Sequence, residues 1–113
     1  MKFVTHNARD ISVYGTSLCG QLKGITYDEL VERFGDPLEG DECKIDAEWN
    51  LEFEDEDGEA VVATIYNWKS GKAYLGDEGL ELSEMREWNI GGKSAKAAVM
   101  IGKVLGMGAH EVL

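Results

Sequence analysis

Cys43-Lys44-Ile45-Asp46-Ala47-Glu48-Trp49-Asn50-Leu51-Glu52-Phe53-Glu54 alternates apolar and polar residues without a break. Successive side chains on a strand point to opposite faces, so one face carries Cys43, Ile45, Ala47, Trp49, Leu51 and Phe53 and the other is polar. Asp55-Glu56-Asp57-Gly58 then reads as a turn, with Gly58 free to take a positive φ. Ala60 to Lys69 returns as the partner strand. Val61, Val62, Ala63, Ile65, Tyr66 and Trp68 make it apolar on both faces, the pattern of a central strand covered on both sides. A hairpin over about 43–69 is therefore the expected centre of the fold.

Working outward, Thr26-Tyr27-Asp28-Glu29 matches a capping box, and Tyr27, Leu30, Val31 and Phe34 recur at helical spacing. Gly35 and Pro37 stop the run, which predicts a helix over 27–34. Two turns are not stable alone, so this helix must dock on a sheet. Met85 to Ile90 reads as a strand, Gly91-Gly92 as a loop, and Ser94 as the N-cap of a helix ending at Leu105. Its apolar side is Ala97, Ala98, Ile101, Val104 and Leu105. Lys2–Thr5 and Ile11–Tyr14 could pair as a first hairpin. Gly15–Gly24 reads as loop or irregular edge, Leu38–Glu42 as a polar connection, and Ala73–Leu82 as an acidic loop with a turn near Tyr74. The expectation is one α+β domain over 1–113: an antiparallel sheet built on the long central hairpin (about 43–69), with helices at about 27–34 and 94–105 on one face.

The chain has 113 residues, 22 acidic and 11 basic, for a net charge of -11. That balance argues against direct nucleic-acid binding and against adsorption to an anionic membrane. A core of this size is modest, and a homo-oligomer would help it. No apolar run reaches a membrane span and Met1 to His6 lacks a signal-peptide core, so a cytoplasmic location is expected. Cys19 and Cys43 fit neither a zinc spacing nor a disulfide framework, and are expected reduced and packed. His6 and His110 belong to no triad or metal spacing, so no catalytic residue, metal ligand or cofactor is expected.

Two stretches carry candidate binding chemistry. Gly91, Gly92, Lys93 and Ser94 put close backbone approach, free N–H groups and a cation at a helix start, a candidate phosphate site. The string is not a P-loop, whose first glycine would fall at Glu87. Tyr66, Asn67, Trp68 and Lys69, with Trp88 and Asn89, mix rings with a few polar groups and could supply a base-stacking wall. Against this stands the ordinary reading of tryptophans as core and glycines as a structural turn. The second stretch is acidic. Asp36 to Glu59 holds twelve Asp or Glu and one Lys. Asp46, Glu48, Glu52, Glu54, Asp55 and Asp57 could imitate phosphates, because alternate strand residues repeat at about 6.6 to 7 Å. Any acidic strand has that repeat, and a solvated sheet face explains it as well.

Phe34-Gly35-Asp36-Pro37, Lys44 to Trp49, Asp57-Gly58, Ala63-Thr64-Ile65-Tyr66-Asn67-Trp68-Lys69 and Trp88-Asn89-Ile90-Gly91-Gly92 form an ordered series of short motifs. The series resembles a group of small acidic accessory proteins of tailed bacteriophages, over roughly residues 25 to 105. That resemblance implies a protein acting in the host bacterial cytoplasm against host defence. The first expected function is sequestration of a phosphate-containing, cyclic-nucleotide-like signal by the residues around Gly91 and Trp68. The alternative is an acidic nucleic-acid mimic that binds a host defence protein. A metal-dependent phosphodiesterase is third.

Overall fold

The computed structural model describes residues 3–5, 16–39 and 45–105. In chain order the elements are β1 (Phe3–Thr5), β2 (Ser17–Lys23), α1 (Tyr27–Phe34), β3 (Leu38–Glu39), β4 (Ala47–Glu54), β5 (Ala60–Tyr66), α2 (Lys72–Leu75), β6 (Glu87–Gly92) and α3 (Lys96–Leu105), with 3-10 turns at Gly76–Glu78 and Leu82–Glu84. The architecture is α+β. An antiparallel sheet runs β1-β4-β5-β6-β2, and the two-residue β3 also pairs with β4.

The expected central hairpin is β4–β5, in register from Glu48 opposite Tyr66 to Glu54 opposite Ala60. It is shorter than 43–69. Ile45, Asp46 and Asn67 to Lys69 lie beyond the strand ends, and Cys43 and Lys44 lie outside the described residues. The turn forms as expected: Asp55 Oδ1 accepts the N–H groups of Asp57 (2.9 Å) and Glu59 (2.8 Å), and Gly58 takes φ 81°. Ala47, Trp49, Leu51 and Phe53 are buried, and Ala63, Ile65, Trp88, Ile90 and Leu22 share their core. Leu30 and Phe34 of α1 and Ala97, Met100 and Ile101 of α3 close it.

Two tryptophans fix α1 on the sheet. The Trp88 indole N–H donates to the Ile25 carbonyl (2.8 Å) and that of Trp49 donates to the Gly35 carbonyl (2.8 Å). They hold the chain on either side of α1, whose start carries the complete Thr26–Glu29 capping box. Each indole thus buries a large apolar body while its one polar group is satisfied.

Other stretches differ in part from expectation. Leu38–Glu42, expected as a polar connection, begins with β3, where Leu38 pairs with Glu48 and Glu39 with Ala47. Of the two readings of Gly15–Gly24, loop or irregular edge, the irregular edge holds: β2 ends the strand order, pairs with β6 and carries a bulge between Leu18 and Gly20. Gly91 and Gly92 are the last residues of β6, not a loop, and α3 begins at Lys96 rather than Ser94. The short turn expected near Tyr74 within 73–82 is present as the single helical turn α2, followed by the first 3-10 turn. Of the proposed first hairpin, Phe3–Thr5 pairs with β4, while Ile11–Tyr14 lies outside the described residues.

Candidate functional site

At Gly91–Ser94 the structure places the last two strand residues of β6 and a short connection to α3, not the open glycine loop expected. Gly92 lies against α3, and a Cβ there would collide with the Cβ of Ala97. Gly91 lies on the opposite face, where a Cβ would come within 2.5 Å of Thr64 Oγ1. Both glycines are packing positions whose backbone groups serve a strand paired on both sides. Ser94 Oγ accepts the Lys96 N–H (3.3 Å), which uses one of the donors a phosphate would need. Lys96 Nζ is 3.3 Å from Asp55 Oδ2, and Asp55 and Glu59 line the same depression, of about 390 Å³, as Lys93 and Ser94. An anion there would face carboxylates.

The stacking wall is also divided. Trp88 is buried in the core with its N–H satisfied, so it cannot present a ring to a ligand. Asn67 is buried too. Its Oδ1 accepts the N–H groups of Asp46 (2.8 Å) and Ala47 (3.1 Å), and its Nδ2 donates to Asp46 Oδ1 (2.9 Å). Asp46 Oδ2 in turn accepts the Ala73 N–H (3.2 Å). Asn67 is therefore a structural hub that ties the start of β4 to α2.

What remains is brought together at that end of the sheet. Tyr66 pairs with Asn89 in register, and Asn89 Oδ1 accepts from Gln21 Nε2 (3.1 Å). The Tyr66 and Trp68 rings meet edge-on, centroids 6.4 Å apart. Lys69 Nζ stands 5.8 Å from the Trp68 ring and 5.2 Å from that of Tyr74. Burial raises the Tyr66 hydroxyl above its ordinary pKa, so it stays a neutral hydrogen-bonding group at physiological pH. Tyr74 and Gln21 carry no motif, and only pairing and loop geometry place them here. Lys93 and Ser94 leave β6 after Gly92, which pairs with Ala63. Lys93 and Ser94 line a depression with Ala60, Val61 and Val62 at the start of β5, whereas Tyr66 ends that strand. Gly91 lies beside Tyr66, where a Cβ would come 3.4 Å from the tyrosine ring, while Lys93 and Ser94 lie toward the other end of β5.

The acidic residues sort by face. Asp46 and Asp55 are engaged in internal hydrogen bonds. Asp55 is held below the usual carboxylate range, first by the Glu59 N–H and then by Lys96 and Asp57, against an opposing desolvation effect. Glu48, Glu52 and Glu54 occupy the face of β4 opposite the core residues Trp49, Leu51 and Phe53, and Asp57 is exposed at the turn. Between the glutamates, Asn50 is buried, and its Oδ1 has no hydrogen-bond partner among the described residues. Cys19 is a free, half-buried thiol, while Cys43, His6 and His110 lie outside the described residues. Among the described residues no group of three or more His, Cys, Asp or Glu is placed to hold a metal, and no helix is long and apolar enough to cross a membrane. Comparison with family models, curated proteins and solved structures returned no match.

Proposed function

We propose that the protein is a non-enzymatic inhibitor that binds a basic host protein through its acidic strand face, in the manner of a nucleic-acid mimic. The observation that carries this reading is the sorting of carboxylates on β4. Glu48, Glu52 and Glu54 share the face opposite the core, and Asp57 extends the negative surface at the turn. A net charge of -11 adds long-range attraction to a basic partner. The resemblance of the motif series to phage accessory proteins supports the host setting. The test is displacement of duplex DNA from bacterial nucleic-acid-binding proteins. Wild-type protein should compete, and Glu48→Lys, Glu52→Lys and Glu54→Lys together should abolish competition. The Gln versions, which keep the shape, should weaken it. Competition unchanged by charge reversal overturns the reading.

A second reading is favoured by the Trp68–Lys69–Tyr74 stack. Rings flanking a cation, beside Tyr66, Asn89 and Gln21, suit a base and its phosphate. On this reading the sequestered nucleotide lies at the Trp68 end of the sheet, not at Lys93 and Ser94. A thermal shift with cyclic di- or trinucleotides that disappears in Trp68→Ala would support it, and no shift with any of them would exclude it.

A further inference from the structure

We propose that the loop from Trp68 to Leu80 is a docking surface for a basic, amphipathic segment of a partner protein, with Trp68 and Tyr74 as its anchors. The proposal rests on the acidic-inhibitor reading and names the partner chemistry that reading leaves open.

Large apolar side chains are exposed together here: Trp68 at 45%, Tyr74 at 49%, Leu75 at 44% and Leu80 at 42%. The loop folds them onto one backbone knot. Leu75 N–H donates to the Gly71 carbonyl (3.0 Å), Leu80 N–H donates to the Ser70 carbonyl (3.0 Å), and Gly71 bridges Leu80. Lys69 joins the two rings, holding its backbone at φ 59°, a conformation non-glycine residues rarely take. A contiguous exposed apolar patch rimmed by polar residues marks an interaction site, and Lys69 makes Trp68 and Tyr74 contiguous.

The mount is built to keep this cluster in one shape. The Asp46 carboxylate binds Asn67 and the α2 backbone, and a Cβ at Gly71 would strike that carboxylate. A Cβ at Gly79 would strike the Gly71 backbone. Rings presented on a fixed loop lose little conformational entropy on binding, which is how a small patch becomes an affinity hot spot.

Charge selects the occupant. Asp77, Glu78, Glu81 and Glu84 are exposed along the same stretch, with Glu81 paired to Lys72 (2.6 Å). The acidic face of β4 begins at Glu48, opposite Tyr66, so carboxylates flank the patch on that side as well. A second copy of this chain would bring -11 against -11. A segment with an apolar stripe and flanking Lys or Arg satisfies both the rings and the rim.

The test uses two synthetic Leu/Lys peptides of one composition, each about five helical turns long. One gathers Leu on one helical face and the other scatters it. The full-length protein is titrated with each, reading heat and tryptophan emission. The gathered peptide should bind at least about tenfold tighter and shift the emission to the blue. Trp68→Ser or Tyr74→Ser should each remove about tenfold of that affinity, with thermal melting and salt dependence unchanged. Equal binding of the two peptides, or indifference to Trp68→Ser, overturns the docking surface and leaves the acidic-inhibitor reading standing. Failure of both peptides to bind, or binding insensitive to salt, overturns both.

Discussion

Trp49 and Trp88 meet edge to face with ring centroids 5.5 Å apart, and their indole N–H groups hold the chain at opposite ends of α1. Tyr27 packs against both rings, at 5.8 and 6.5 Å. A two-turn helix is thereby pinned by two hydrogen bonds and one aromatic cluster. Trp49→Phe and Trp88→Phe keep most of the ring and lose the donor. Each should destabilise by about 2 to 4 kcal/mol, from the lost hydrogen bond together with the cavity the smaller ring leaves in the core. Amide exchange should localise the loss: near Gly35 for Trp49→Phe and near Ile25 for Trp88→Phe. Uniform acceleration through α1 in both variants would contradict the two-pin arrangement.

Gly92 and Ala97 are matched in size. Gly92→Ala should destabilise by about 1 to 3 kcal/mol, because the added methyl meets the Ala97 methyl. Ala97→Gly alone should cost about 1 kcal/mol through helix propensity. The double variant should be more stable than the sum of the two losses predicts, and strict additivity in denaturant melts would refute the contact.

The same glycine marks the limit of what local sequence shows. Gly91-Gly92-Lys93-Ser94 reads the same whether the glycines lie in an open loop or in a paired strand. Only the pairing with β2 and β5, from residues far away in sequence, decides it. The β4–β5 hairpin and the capped α1 were legible because strand alternation and the Thr26–Glu29 box are local signals. β2 was legible only as loop or irregular edge, since a bulge and two interior small residues erase its period. Of the expected ligand residues, Tyr66, Trp68, Lys69 and Asn89 converge. Trp88 and Asn67 do not, because a ring or an amide looks the same in a core as in a site. Tyr74 gave no signal at all, since its place depends on the fold of the α2 loop.

Asp55 links the hairpin turn to α3. Its carboxyl pKa is lowered, so its contribution to stability is complete above the ordinary aspartate value of about 3.9 and is lost as pH falls through the lower native value. In a carboxyl NMR titration Asp55 should titrate below that ordinary value. Lys96→Ala should raise its pKa only partway, because the Glu59 and Asp57 N–H groups remain. A return to the ordinary value in Lys96→Ala would mean that the ion pair, not the turn, holds the carboxylate ionised.

Asn50 is buried on the acidic face, and its Oδ1 has no hydrogen-bond partner among the described residues. Replacing a buried unsatisfied amide by an apolar side chain of like size removes a desolvation cost of about 1 to 3 kcal/mol. Asn50→Leu should therefore hold or raise the melting temperature, against the usual direction of buried substitutions. A clear fall in melting temperature would mean that the amide is bonded.

Binding by the carboxylates on the face of β4 away from the core has a direct signature in salt. The measurement is affinity for a DNA-binding protein that this chain displaces from DNA, taken as a function of salt concentration. Affinity should fall steeply with added salt. Neutralising Glu48, Glu52 and Glu54 to Gln should flatten the slope as well as weaken binding. An affinity that is indifferent to salt, or a slope unchanged by the three Gln substitutions, would contradict a carboxylate-driven interface.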